Sequence, residues 1–169
     1  KTTFFEKIKE EYTGKKTPSS LIIPTSGLNL SKIKYSDTEI ILWDLGGRIG
    51  LRSMWEIYYS DIDGLIFMID STANLESQIN TLNGILDNKY LKKSEVPVLV
   101  LINKIDKAPF ERFKELNDLL DFGKLNKKNY NFMTVSAIKG QGIKEAMNWI
   151  YYSMCNNLFR DEPEIDPVL

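Results

Sequence analysis

Residues 96 to 106 read VPVLVLINKID, and this stretch decides the fold class. The run from Val98 to Ile102 is apolar and rich in β-branched residues, which is typical of a central parallel strand covered on both faces. The polar-rich tetrapeptide Asn103-Lys104-Ile105-Asp106 follows directly. Ligands of open α/β sheets bind at the carboxyl ends of the strands. The stretch therefore predicts an α/β fold with a binding loop after this strand.

The chemistry of that loop favours a guanine base. Asp106 can accept two hydrogen bonds, from the N1–H and the exocyclic amino group of guanine, and adenine does not offer this pair. A site built around such a pair rejects the analogue that lacks it by roughly 10⁴-fold. The Lys104 stem would cover the base, and Asn103 would tie loops together. The alternative is that N-K-x-D is a solvated turn.

Hydrophobic periodicity predicts the other elements. The expected order is helix 2–12, loop 14–27, a hairpin of strands 28–34 and 39–43, strand 64–69, a helix with Leu75, Ile79, Leu82 and Leu86 on one face, the Val96 strand, helix 110–120, strand 132–135 and a helix with Ile143, Met147, Ile150 and Met154. This alternation predicts a mostly parallel sheet flanked by helices in one domain, residues 1–159. Residues 160–169, with two prolines and four acids, are expected to be flexible.

Composition narrows the chemistry. A net charge of −1 over 169 residues gives no basic field, so nucleic acid is not an expected partner. The single cysteine, Cys155, allows no internal disulfide and suits a reducing compartment. The absence of histidine excludes Ser-His-Asp catalysis and histidine zinc sites. Carboxylates, lysines, hydroxyls and a hard metal remain, and they suit phosphoryl chemistry with Mg²⁺.

Lys1-Thr2-Thr3 stands directly before the first predicted helix. In the pattern G-x-x-x-x-G-K-[ST], the lysine reaches the phosphates and the next hydroxyl ligates Mg²⁺. Only the last two letters of that pattern are present. Their position at a helix N-terminus, where anions are favoured, supports Lys1 and Thr2 as phosphate-binding residues and Thr2 as a metal ligand.

Three further segments carry candidate residues. In WDLGG, Asp44 would hold Mg²⁺ through a water, and Gly47 would bring its N–H to a γ-phosphate because it has no Cβ. Thr25 in the long loop would complete the metal shell. Ser136-Ala137 ends the last strand, where the Ala137 N–H would face the guanine carbonyl. Each segment also has a plain alternative, a D-x-G-G turn, a solvated threonine or a common dipeptide.

Together these residues resemble the Ras-like P-loop small GTPases, and the details are similar to the Arf family. The tryptophan of WDLGG, the T-x-G-x-N sequence at Thr25–Asn29 and LRSMWEIYY at 51–59 carry the resemblance. The long loop before Thr25, together with GLNL, looks most like the Arf-related protein subgroup of the Golgi.

The resemblance implies a GTP/GDP switch in which the γ-phosphate orders Thr25 and the segment from Gly47 onward. Leu28, Trp43 and Tyr58 match the apolar triad that contacts effectors, although Trp43 and Tyr58 would alternatively be core residues. The implied partners are an exchange factor, a GTPase activator and effectors. The implied location is cytoplasmic and peripheral at the Golgi membrane, with membrane contact through an N-terminal segment that this chain does not contain.

The resemblance also implies residues upstream of Lys1, namely the first strand and the phosphate-binding glycines. That strand is expected between the strands that end at Asp44 and Asp70, and its loss would expose two strand edges. Because those glycines supply most backbone donors for the β-phosphate, we expect weak or no nucleotide binding by these 169 residues alone.

Arg48 departs from the family pattern, which has glutamine after the two glycines. Glutamine offers a donor and an acceptor to the attacking water, whereas arginine offers donors only. Arg48 is therefore a catalytic position that we expect to be impaired, and we predict slow GTP hydrolysis. The alternatives are an interaction module that has lost the nucleotide cycle and an ATP-dependent P-loop kinase.

Overall fold

The computed structural model describes residues 1–108, 111–120 and 130–158. The predicted tail, residues 160–169, and Phe110 in the predicted fourth helix lie outside these residues. The helices are α1 (Thr2–Thr13), α2 (Leu75–Leu86), α3 (Lys89–Lys93), α4 (Glu111–Leu119) and α5 (Ile143–Leu158), and the strands are β1 (Leu28–Tyr35), β2 (Thr38–Leu45), β3 (Leu65–Asp70), β4 (Val98–Asn103) and β5 (Tyr130–Val135). Within the described ranges, no helix is both long and apolar enough to cross a membrane.

Strand β4 lies at the centre of a parallel sheet with the order β3-β4-β5. All six of its residues are buried, which confirms the prediction from the apolar run. The register pairs Asp70 with Asn103 and Asn103 with Val135. The carboxyl ends of the three strands therefore meet at one edge of the sheet, and the loops that follow them are neighbours.

Helices cover both faces of this sheet because alternate residues of β4 point to opposite sides. Leu99 and Leu101 pack with α1 and α5, whereas Val100 and Ile102 pack with α2 and α4. Helix α2 begins where Asn74 accepts a 2.8 Å hydrogen bond from the Ser77 N–H. The predicted Leu86 is half-buried and packs on the same core cluster as Leu82. Ile85, which was not predicted, is also buried, in a separate cluster.

Strands β1 and β2 form the predicted antiparallel hairpin, with Leu28 opposite Leu45 and Tyr35 opposite Thr38. The turn places Ser36 at a φ of 52°, a left-handed conformation. The hairpin is a sheet of its own, and β2 and β3 share no ladder in the part of the chain described. Between them is a cavity of about 590 Å³, the inter-sheet cleft, lined by apolar side chains that include Ile40, Leu42, Ile66, Met68 and Met147. This is the position in which the resemblance expects another strand.

Two segments without a predicted secondary structure are 3₁₀ helices, Ser19–Leu21 and Ile49–Tyr58. Helix α3 was also not predicted. The second 3₁₀ helix follows the DLGG turn directly and buries none of its residues completely. It brings several side chains back onto that turn, as described below.

Candidate nucleotide-binding site

The guanine-loop residue Asp106 lies beside Ser136, which follows β5. The Ser136 hydroxyl donates a 2.6 Å hydrogen bond to Asp106 Oδ1, and Ser136 itself is fully buried. This hydrogen bond is the main cause that lowers the pKa of Asp106, helped by Lys139 and Lys107. The carboxylate is thus ionised and oriented, as an acceptor of two guanine hydrogen bonds must be.

Asn103 joins the same two loops. Its Oδ1 accepts a 3.0 Å hydrogen bond from the Ala137 N–H, and its carbonyl accepts a 2.7 Å bond from the Ser71 hydroxyl. The structure thus gives Asn103 the predicted tying role. It also differs from one expectation, because the Ala137 N–H predicted to face the guanine carbonyl is directed to Asn103. The short turn after β5 brings the amide within reach of the Asn103 side chain.

Lys104 has a φ of 69°, which directs its side chain back across the sheet edge. Its Nζ lies 2.6 Å from Asp70 Oδ2 at the end of β3. Sequence patterns did not single out Asp70 for this contact. The only available signal was its position at the end of a strand next to β4.

Thr2, Thr25 and Asp44 converge from three distant parts of the chain. Both threonine hydroxyls donate to Asp44 Oδ2, at 2.9 Å from Thr2 and 2.7 Å from Thr25, and the two hydroxyl oxygens are 2.9 Å apart. Asn29 adds a 3.0 Å hydrogen bond to the Thr25 hydroxyl. The predicted metal residues are therefore brought together, with Asp44 buried.

This donor set fits Mg²⁺. The cation prefers hard oxygen ligands and is usually held by one or two carboxylates together with phosphate oxygens and water. A hydroxyl that donates its proton to Asp44 keeps its lone pairs for a cation. Among the described residues no cluster of three or more histidine, cysteine or acidic side chains exists, so this site would depend on phosphate for its remaining ligands.

Lys1 contacts the DLGG turn. Its ammonium donates to the Leu45 carbonyl and lies 5.6 Å from the centre of the Trp55 ring. A Cβ added at Gly47 would be 2.9 Å from this Nζ, so the glycine allows the approach. Burial of the ammonium lowers the pKa of Lys1; Asp44 opposes this effect and Arg52 adds to it.

Gly46 is held more tightly than Gly47. Its N–H donates a 2.7 Å hydrogen bond to the Gly27 carbonyl, and its own carbonyl accepts one of 2.9 Å from Trp55 Nε1. A Cβ at this position would be 2.6 Å from Leu51 Cδ1 and 2.9 Å from the Thr25 carbonyl oxygen. Sequence reasoning named Gly47 and missed Gly46, although the adjacent glycines were a signal.

Arg48 is exposed and is the N-cap residue of the second 3₁₀ helix. It lines a cavity of about 430 Å³ with Lys1, Thr2, Thr25 and Gly47. The residue at the expected glutamine position therefore faces the phosphate and metal residues. Its guanidinium can donate hydrogen bonds there but cannot accept one.

Comparison with known proteins decides the family. The family model described as "ADP-ribosylation factor family" matches residues 1–154. The chain belongs to the Arf family. It is an Arf-family small GTPase, a guanine-nucleotide switch, and this membership sets aside the alternative of an ATP-dependent kinase.

Individual proteins of the Arf family are also similar to this chain in sequence. The chain is 32% identical over 164 residues to ADP-ribosylation factor-like protein 3 of Saccharomyces cerevisiae, covering 93% of this chain and 81% of the relative. It is 30% identical over 161 residues to ADP-ribosylation factor-like protein 2 of Dictyostelium discoideum, covering 94% and 83%. It is 29% identical over 172 residues to human ADP-ribosylation factor-related protein 1, covering 98% and 85%.

A solved structure shows the same fold. The Arl6 BBS3 small GTPase of Trypanosoma brucei, with the bound nucleotide analogue GppNp, superposes with a TM-score of 0.72. The identity is 24%, over 92% of this chain and 91% of the other. The predicted Ras-like fold is confirmed.

The predicted Arf effector triad lies on the outer face of the hairpin and on the 3₁₀ helix. Leu28, Trp43 and Tyr58 are each half-buried, and the Trp43 and Tyr58 rings meet edge to face at 5.2 Å. Leu30 and Ile41, on the same hairpin face, are 61% and 51% exposed. Trp43 and Tyr58 are therefore not core residues, and the triad is accessible to a partner.

Proposed function

We propose that this Arf-family switch regulates vesicle traffic at the Golgi and hydrolyses GTP slowly. The observation that carries nucleotide control is the guanine loop, in which the Asp106 carboxylate is oriented by the buried Ser136 hydroxyl. An ionised carboxylate oriented at this edge of the sheet is the acceptor that a guanine base requires. The Golgi location rests on the sequence resemblance to Arf-related proteins.

The residues of the site would act as follows. Asp106 accepts hydrogen bonds from the guanine base, while Lys1 and the Gly47 N–H bind phosphate oxygens. Thr2, Thr25 and Asp44, the last through a water, would hold Mg²⁺, which neutralises charge on the β- and γ-phosphates when bound. Loss of the γ-phosphate would release Thr25 and the segment after Gly47, and so change the surface formed by Leu28, Trp43 and Tyr58.

Slow hydrolysis follows from Arg48. The attacking water must be oriented as its oxygen bonds the γ-phosphorus and the bond to the leaving β-phosphate oxygen breaks. Arg48 cannot accept a hydrogen bond from that water, so this protein would remain GTP-bound until a GTPase activator supplies the missing group. An exchange factor would load GTP, and effectors would bind the GTP form.

The first test is the nucleotide content of the full-length protein, measured by chromatography after denaturation. Bound GDP or GTP is expected, with GTP in excess. An empty site in folded protein would overturn the switch. A second measurement is the location of a fluorescent fusion, which should coincide with a Golgi marker and should disperse when Thr25 is replaced by alanine.

Arg48 also favours a second candidate, an interaction module that binds partners without a nucleotide cycle. The exposed apolar residues around Trp43 and Tyr58 would serve such a role in either nucleotide state. The two candidates differ in one measurement, namely whether effector binding through this face depends on GTP. Equal binding by GDP-loaded, GTP-loaded and empty protein would favour the module.

A further inference from the structure

The backbone and both carboxylate oxygens of Asp70 are engaged by neighbouring residues, although the proposed nucleotide chemistry does not use Asp70. Its Oδ1 accepts hydrogen bonds from the Thr72 N–H at 3.0 Å and the Thr72 hydroxyl at 2.7 Å. Its backbone N–H and carbonyl both bond to the side-chain amide of Gln78, at 2.7 and 3.0 Å. Oδ2 remains, and it meets the Lys104 ammonium at 2.6 Å.

Lys104 needs such a partner. Its φ of 69° is in the left-handed region, which is uncommon for a residue with a Cβ. Backbone strain of this kind persists where the surroundings fix the conformation. The next residues of the turn are fixed by the Lys107 N–H, which donates 2.9 Å to the Lys104 carbonyl. The side chain is fixed by Asp70.

The segment that follows Asp70 also holds Asn103, the residue before Lys104. Ser71 donates to the Asn103 carbonyl through its N–H at 3.1 Å and through its hydroxyl at 2.7 Å. Arg112 of α4 in turn donates to the carbonyls of Ser71 and Ala73, at 3.2 and 2.5 Å. The segment from Asp70 to Ala73 thus contacts Lys104 through Asp70 and Asn103 through Ser71.

The position of Asp70 would be unfavourable for phosphate binding by charge alone. A carboxylate at the edge of the sheet where the nucleotide would bind repels a phosphate anion. Its presence is therefore explained by what it does to Lys104.

We propose that Asp70 is a positioning residue of the guanine site, which holds the Lys104 ammonium so that the aliphatic stem of Lys104 lies over the bound base. Asp70 itself touches neither the base nor the phosphates. The inference rests on the proposed binding of guanine nucleotide by this loop. It adds to the N-K-x-D residues a carboxylate from the neighbouring strand.

The test is the equilibrium Kd of the full-length protein for GDP, in the wild type and in Asp70→Asn. Positioning predicts a Kd raised about two- to fivefold, the range expected for a partly exposed ion pair. A pure charge effect predicts the opposite sign, because removal of the carboxylate would strengthen phosphate binding. Asp70→Glu also distinguishes positioning from a charge effect, because it keeps the negative charge but displaces the carboxylate. Positioning predicts weaker GDP binding by this variant, whereas a charge effect predicts no change.

Two controls complete the experiment. Asp70→Asn combined with Lys104→Met should bind GDP no more weakly than Lys104→Met alone, because the lysine that Asp70 positions is gone. Asp87→Asn removes another ion pair, with Lys92 at 3.5 Å, at the far end of α2 and should leave the Kd unchanged. Unchanged or tighter binding by both Asp70 variants would overturn the positioning role alone, whereas a wild type that binds no GDP would overturn the proposed function with it.

Discussion

The indole Nε1 of Trp55 donates a 2.9 Å hydrogen bond to the carbonyl oxygen of Gly46. The two residues belong to different elements, the 3₁₀ helix Ile49–Tyr58 and the turn that follows β2. The ring of Trp55 also lies near two cations, Lys1 at 5.6 Å and Arg52 at 5.7 Å. Trp55 therefore joins the 3₁₀ helix, the DLGG turn and the phosphate-binding lysine in one cluster.

Trp55→Phe should loosen this cluster. The variant keeps an aromatic ring but leaves the Gly46 carbonyl without its donor, and a net loss of about 1 kcal/mol in the free energy of unfolding is expected. Urea unfolding measures it. Trp149→Phe on α5 makes the same change of side chain away from the turn. Equal losses in the two variants would show that ring volume, and not the hydrogen bond, accounts for the effect.

Gly46→Ala should destabilise the protein, whereas Gly50→Ala should not. A Cβ at residue 46 would be 2.9 Å from the backbone oxygen of Thr25. A Cβ at residue 50 would have no neighbouring atom within 4 Å. Overpacking of this kind lowers the free energy of unfolding by about 1–3 kcal/mol. A glycine-to-alanine change that fits the backbone raises it by about 0.4–1 kcal/mol. Urea unfolding of the pair should therefore give shifts of opposite sign. A neutral Gly46→Ala would mean that the Thr25 loop yields easily.

Ser136→Ala should raise the pKa of Asp106 towards its ordinary value, because the serine hydroxyl is the main cause that lowers it. A carboxylate with a lowered folded-state pKa stabilises the fold above its unfolded-state pKa. This contribution is lost as the pH falls through the folded-state value. The variant should thus be less stable than the wild type near neutral pH, and the difference should shrink below about pH 4.

A carbon-detected NMR titration of the Asp106 carboxyl checks this prediction directly. GDP affinity at neutral pH should also fall, since the carboxylate loses its orienting donor. Ser60→Ala is the matched control, because Ser60 donates a 2.9 Å hydrogen bond to the exposed Asp61 outside the site. An Asp106 pKa that does not move in Ser136→Ala would contradict the assignment of the cause.

Arg48→Gln should accelerate GTP hydrolysis. Glutamine restores an acceptor for the attacking water, and positioned groups of this kind contribute roughly 10²–10⁴-fold. We expect a gain of at least about tenfold in single-turnover hydrolysis by the full-length protein. Arg48→Lys preserves the charge and supplies no acceptor, so it should remain slow. A wild type as fast as Arg48→Gln would remove the basis for a GTP-persistent switch.

Much of the fold could be predicted because its signals are local. The apolar run before Asn103, which predicted the central strand, is visible in a few adjacent residues. The same is true of the alternating apolar residues on either side of Ser36, which predicted the hairpin. The 3₁₀ helix after Arg48 lacked such a signal, since it buries no residue fully. The burial of Ile85 beside the predicted Leu86 shows the same limit, because periodicity marks one helix face and tertiary packing decides how wide its buried part is.

The site was predicted as a set of residues and not as a geometry. Lys1, Thr25 and Asp44 were recognisable from their neighbours in sequence, but their convergence depends on tertiary structure. The direction of the Ala137 N–H towards Asn103 and the pairing of Asp70 with Lys104 join residues 34 positions apart. Such contacts follow from strand register, which no single stretch of sequence specifies.

The separation of the two sheets has a mechanical consequence. The described residues provide no backbone ladder between β2 and β3, so the hairpin is held by its flanking loops and by side-chain packing on α1 and α5. Tyr35, which hydrogen-bonds Asn148 of α5, is one of those side-chain anchors. Among the described residues, a shift of the hairpin along its own strands would therefore strain side-chain contacts and the flanking loops, whereas a shift of β3 along β4 would break a row of backbone hydrogen bonds.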